Sequence, residues 1–125
     1  MLAATIISLL IPGQACAHIV ERTTGPAASW SNPVNRNLLR IARCETGYLP
    51  GGRPNWRHHN GVYTGGLGFA HSTWAHYKRY VRPVPRARYA RDATVAEQLA
   101  VGRVLVRVFA GYSSWPACHR RLGLR

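Results

Sequence analysis

The sequence predicts a small α+β domain, mainly helical, with one short hairpin and one disulfide. Three observations carry this. Three stretches of helical periodicity end in capping residues, a Gly-rich segment with an Asn60-Gly61 turn separates the first two, and Cys44 and Cys118 form an even pair once an N-terminal leader is set aside. At 125 residues, 46% of them hydrophobic, the chain has material for one domain around one core.

Residues 1–17 read as an export signal. An apolar run from Leu2 to Ile11 is followed by Pro12 and Gly13, then by the small-residue cleavage site Ala15-Cys16-Ala17. The run is shorter than the roughly 20 residues a bilayer span needs, so no membrane anchor is expected. Cleavage removes Cys16 and leaves Cys44 and Cys118 in an oxidising compartment, where a disulfide between them is expected; two free buried thiols are the alternative. Residues 18–31, rich in Thr, Gly, Pro, Ala and Ser, read as a flexible lead-in, with the folded domain over 32–125.

The first helix is placed by Asn32 as N-cap and Pro33 as first helical residue, runs to Glu45 and stops at Gly47. The segment from Tyr48 to Phe69 is Gly-rich. Asn60-Gly61, with Val62 and Tyr63 beyond it, signals a short hairpin or irregular loop. A second helix is expected from Ser72 to Val81, where Trp74, Tyr77 and Val81 share a face and Pro83 is the stop. A third runs from Thr94 to Ala110 before Gly111. Thr94 and Glu97 form a capping box, and its apolar positions go nearly all the way round, marking a central buried helix.

Seventeen Lys and Arg against four acids give a net charge of +13, which points to a polyanionic partner without naming one. The scarcity of acids makes elimination possible. Glu21 falls in the lead-in, Glu97 belongs to its capping box, and Asp92 lies in a turn beside Arg91. Glu45 stays unexplained. Val34, Leu38, Ile41 and Glu45 share one helical stripe that is apolar except for the carboxylate. Partial desolvation there raises a carboxyl pKa and favours the protonated acid that general-acid chemistry needs. A surface Glu paired with one of the many basic residues is the alternative. Trp56, Tyr63, Phe69 and Trp74, set among glycines, supply aromatic faces on which sugars stack, although Trp74 fits core packing equally well.

The order Cys44-Glu45-Thr46-Gly47, Asn60-Gly61, Tyr63-Thr64-Gly65-Gly66-Leu67-Gly68-Phe69, Ser72-Thr73-Trp74 and Trp115-Pro116-Ala117-Cys118 resembles the transglycosylase-like domain of resuscitation-promoting factors, over about residues 36 to 124. The resemblance implies a lysozyme-like fold, secretion to the cell wall, and cleavage of the MurNAc to GlcNAc bond in peptidoglycan. It makes Glu45 the catalytic acid, bonds Cys44 to Cys118, and assigns Tyr63, Gly66, Thr73 and Trp74 to the glycan groove. This chain departs from the family in carrying Gly68 where Gln usually follows the Gly-Gly-apolar triplet, so one polar contact to substrate is missing. The expected partner is therefore peptidoglycan, met by a monomer without cofactor.

Three other readings compete. A wall-binding or regulatory module without turnover would keep the groove. A nucleic-acid-binding protein has only the charge and the aromatics in its favour, and export with a disulfide speaks against it. A metal enzyme is disfavoured because His71 and His76 are five apart and His58-His59 are adjacent, neither a usual ligand spacing.

Overall fold

The computed structural model describes residues 19–125; the export signal expected over 1–17 lies outside the described residues. Helices α1 (Pro33–Thr46), α2 (His71–Tyr77), α3 (Val95–Val108) and α4 (Pro116–Leu122) surround one core. Strands are short: β1 (Glu21–Arg22), β2 (Tyr63–Thr64), β3 (Phe69–Ala70) and β4 (Val81–Arg82). They form two separate pairs, β1 parallel to β4 and β2 antiparallel to β3.

The central helix is α3. Every residue from Gln98 to Leu105 is buried, as its all-round apolar pattern requires. Its N-terminus carries the expected box, with the Glu97 amide donating to Thr94 Oγ1 and the Thr94 amide to Glu97 Oε1, which satisfies two of the amides a helix start leaves open. Gly102 lets α1 and the hairpin approach closely, because a Cβ there would lie 2.9 Å from Leu67 and 3.0 Å from Leu38. At the start of α1, Asn32 Oδ1 accepts from the Val34 amide at 2.9 Å, and at its end a Cβ on Gly47 would collide with the Arg43 carbonyl.

Several elements differ from expectation. Residues 19–31 are not a loose lead-in. Glu21 and Arg22 pair with Val81 and Arg82, and Glu21, 6% exposed, binds Arg103 at 2.9 Å and Arg107 at 3.3 Å. Arg103 also donates to Asn35 Oδ1 at 2.8 Å and to the Arg22 carbonyl at 2.6 Å, and Asn35 in turn donates to the Ala27 and Ser29 carbonyls. A buried guanidinium needs such partners, and the N-terminal segment supplies them. The second helix ends at Tyr77, passes through a 3₁₀ turn at Lys78–Tyr80, and Val81 becomes a strand residue because β1 is there to pair with it. Asn60-Gly61 does form a tight turn, in which Asn60 Oδ1 accepts from the Val62 and Tyr63 amides, but the β2–β3 hairpin closes at Gly65 to Gly68 instead. Helix α4 had no counterpart in the periodicity. It starts at Pro116, and Cys118 on it is bonded to Cys44 on α1.

Candidate active site

The stripe on α1 explains where Glu45 stands. Leu38 and Ile41 are fully buried in the core, and one turn on the same stripe leaves the core and reaches a cleft. Three chain segments wall that cleft: Glu45 and Thr46 from the end of α1, His58, Asn60, Tyr63 and Gly68 from the loop and hairpin, and Ser114 to Ala117 from the turn into α4. The cavity measures about 330 Å³. The Cys44–Cys118 bond ties the residue before Glu45 to the helix that Pro116 begins.

The walls are set by hydrogen bonds from buried polar groups. Gln98 on α3 accepts from the Gly66 amide at 2.9 Å and donates to the Trp56 and Ala93 carbonyls, holding the hairpin base against the central helix. Thr46 Oγ1 donates to the Ala42 carbonyl and accepts from the Asn55 amide, both at 3.0 Å, fixing the loop that leaves α1. Trp115 Nε1 donates to the Leu67 carbonyl at 2.7 Å, joining the third wall to the hairpin. His58 Nδ1 is bonded to the Tyr48 hydroxyl at the rim.

Within this frame Glu45 is exposed to solvent and makes no ion pair among the described residues. The protein packed around its carboxyl displaces enough water to raise its pKa above the ordinary 4.5, with desolvation as the cause. Gly68 is its neighbour across the cleft. The backbone there is left-handed, φ +62°, and an added Cβ would stand 3.6 Å from Glu45 Oε2, so the missing side chain leaves that oxygen uncovered. A second cavity, about 290 Å³, shares Tyr63, Gly68, Ser114 and Trp115 with the first and extends along Thr73, Tyr77 and Phe109.

The groove residues divide. Tyr63, with half its side chain exposed, lines both cavities, and Thr73 lines the second. Gly66 and Trp74 do not. Gly66 is buried, and a Cβ on it would run into the Trp56 ring; it is a packing glycine. Trp74 is fully buried, with Nε1 donating to the Ala87 carbonyl, which agrees with the core-packing alternative rather than with ligand contact. Sequence reasoning missed His58, Ser114 and Trp115. A signal for the last two was present, since a bond from Cys118 to the neighbour of Glu45 must bring the residues just before Cys118 to the same place.

The other acids lie elsewhere. Glu21 is in its buried ion pairs, Glu97 in its capping box, and Asp92 beside Arg91 at 3.8 Å, so Glu45 is alone among the four carboxylates in the cleft. Among the described residues no helix is long and apolar enough to cross a membrane.

A family described as the transglycosylase-like domain matches residues 32–118. The chain is also 41% identical over 88 residues to resuscitation-promoting factor Rpf1 of Corynebacterium glutamicum. That alignment covers 68% of this chain and 39% of the relative, so the chain spans well under half of the relative's length.

Proposed function

Since the chain belongs to the transglycosylase-like domain family, with the small lysozyme-like α+β fold its sequence predicts, we propose that it cleaves the glycan strand of peptidoglycan with Glu45 as its one catalytic acid. The observation that carries this is Glu45 itself. It is a carboxyl without an ion-pair partner, with a pKa raised by desolvation, on the wall of an open cleft.

The protonated carboxyl donates its proton to the glycosidic oxygen, which leaves with one sugar as positive charge develops at the anomeric carbon of the other. The deprotonated carboxylate then takes a proton from the attacking group, from the O–H of a hydroxyl or of water or from the N–H of an N-acetyl group whose oxygen attacks. A mechanism with two carboxylates has no second member here, since the remaining acids are held in ion pairs or a helix cap away from the cleft. The attacking group therefore comes from the substrate, its N-acetyl oxygen or its 6-hydroxyl, or from water. Tyr63 offers the exposed ring on which a sugar stacks, and Thr73 a hydroxyl further along. The chain works as an exported protein in contact with the wall, and its excess of basic residues suits an anionic matrix.

Mass spectrometry of purified peptidoglycan after incubation with the wild-type protein tests the reading. Soluble muropeptides are expected, and their ends, reducing or anhydro, report which group attacked. Wall binding without product would establish the non-catalytic module instead, a reading supported by Gly68, which leaves the contact usually made by Gln unfilled.

A further inference from the structure

We propose that the arginine arc from Arg79 to Arg91 is a docking surface for a phosphodiester polymer of the cell wall. Of the seventeen Lys and Arg all but Lys78 are arginine, and from Thr46 to Arg91 there is no acid at all. Arg79, Arg82, Arg86 and Arg88 are exposed. Several guanidiniums are already held. Arg79 Nε donates to the His76 carbonyl at 3.0 Å, and Arg82 donates to the Arg79 and Val81 carbonyls at 2.6 and 3.0 Å. Arg88 and Arg91 stand 5.4 and 5.3 Å from the centre of the Tyr89 ring, which also packs against His71.

None of this is needed by the cleft. Neither Glu21 nor Glu97 is free to neutralise the arc, since the first is buried with Arg103 and the second closes a helix cap; only Arg91 has an acid, Asp92, beside it. A planar guanidinium binds two oxygens of one phosphate, and side chains fixed beforehand lose less freedom on binding. The arc also begins where the cleft ends: Tyr77 lines the second cavity, its ring packs near Tyr80, and Arg79 lies over Tyr80. A polymer seated on the arc would hold the cleft against the strand to be cut. The choice of a polyol phosphate as occupant rests on the reading of the cleft as a peptidoglycan site, because such chains share that wall.

The test is a salt titration of binding to soluble poly(glycerol phosphate). Replacing Arg82, Arg86 and Arg88 together by Gln is expected to weaken binding by about tenfold or more and to lower the slope of log K against log salt by about two. A matched triple, Arg43→Gln, Arg120→Gln and Arg125→Gln, removes the same charge elsewhere and should cost no more than about threefold. Equal losses in both triples would reduce the effect to bulk charge and overturn the proposal. So would tighter binding to a single-stranded oligonucleotide of equal charge. Arg86→Gln alone, at an exposed side chain without an internal partner among the described residues, gives the same direction at about two- to threefold if the triple folds poorly. Binding is read without catalysis, so a chain that binds the polymer and cuts no glycan would overturn the proposed function and leave this one standing.

Discussion

Glu21 and Glu45 are the same side chain in two settings. Glu21 is buried against Arg103 and Arg107, and its charge locks the N-terminal segment onto α3. Glu45 is exposed in a cleft, with a pKa that desolvation raises and nothing cationic within ion-pair distance among the described residues. A carboxylate that is buried and paired is committed to structure. One that reaches solvent and is left unpaired can take and give a proton.

The largest effect should come from breaking the buried side. Arg103→Met leaves Glu21 with only the more exposed Arg107 and strips Asn35 and the Arg22 carbonyl of their donor, an expected loss of about 3–5 kcal/mol by denaturant unfolding. The folded fraction should keep its activity per molecule; a stability within about 1 kcal/mol of wild type would mean that the pair is not structural. Next is the disulfide. Cys44 and Cys118 are separated by 74 residues, and opening a loop of that size costs roughly 4 to 5 kcal/mol in the chain-entropy account. Replacing both by Ser should lower the melting temperature and loosen the cleft, with activity lost faster than fold on warming.

Two glycines sharpen the contrast on a smaller scale. Gly66→Ala must displace the Trp56 ring from the anchored face of the hairpin, at about 1–3 kcal/mol. Gly68→Ala meets nothing closer than Glu45 Oε2 at 3.6 Å and incurs only the left-handed backbone strain, about 1 kcal/mol. Thermal melts of the pair should rank in that order, and the reverse ranking would place the cleft on the wrong side of the hairpin.

The smallest effect concerns pH. A carboxyl whose folded pKa is raised is favoured by folding in its protonated form, so its contribution to stability falls as pH rises from the unfolded value through the folded one. Glu45→Gln should therefore melt slightly above wild type at neutral pH and level with it in acid. Activity that needs the protonated carboxyl should fall through the same raised pKa, above the ordinary 4.5.

Local signals made much of this fold legible. Asn32, Pro33 and the Thr94–Glu97 box set two helix starts, and the apolar stripe led to Glu45 because a helix repeats its faces within a few residues. The Glu21–Arg103 pair spans 82 positions and has no local pattern, so a Thr- and Ser-rich stretch looked loose while its one acid was the anchor. The resemblance assigned Trp74 and Gly66 to the groove for a related reason, since motif membership marks a position without saying which way it faces; the core packing that Trp74's helical spacing also allowed is what the structure has. The third wall of the cleft, Ser114 to Ala117, arrives only through the disulfide and the turn into α4.

The contrast between the two glutamates is tested most directly by muropeptide release from purified peptidoglycan by Glu45→Gln, in a preparation shown by its melt to be folded. The account predicts that release falls by about a hundredfold or more while the melting temperature holds or rises. Release at the wild-type rate from that folded variant would contradict it.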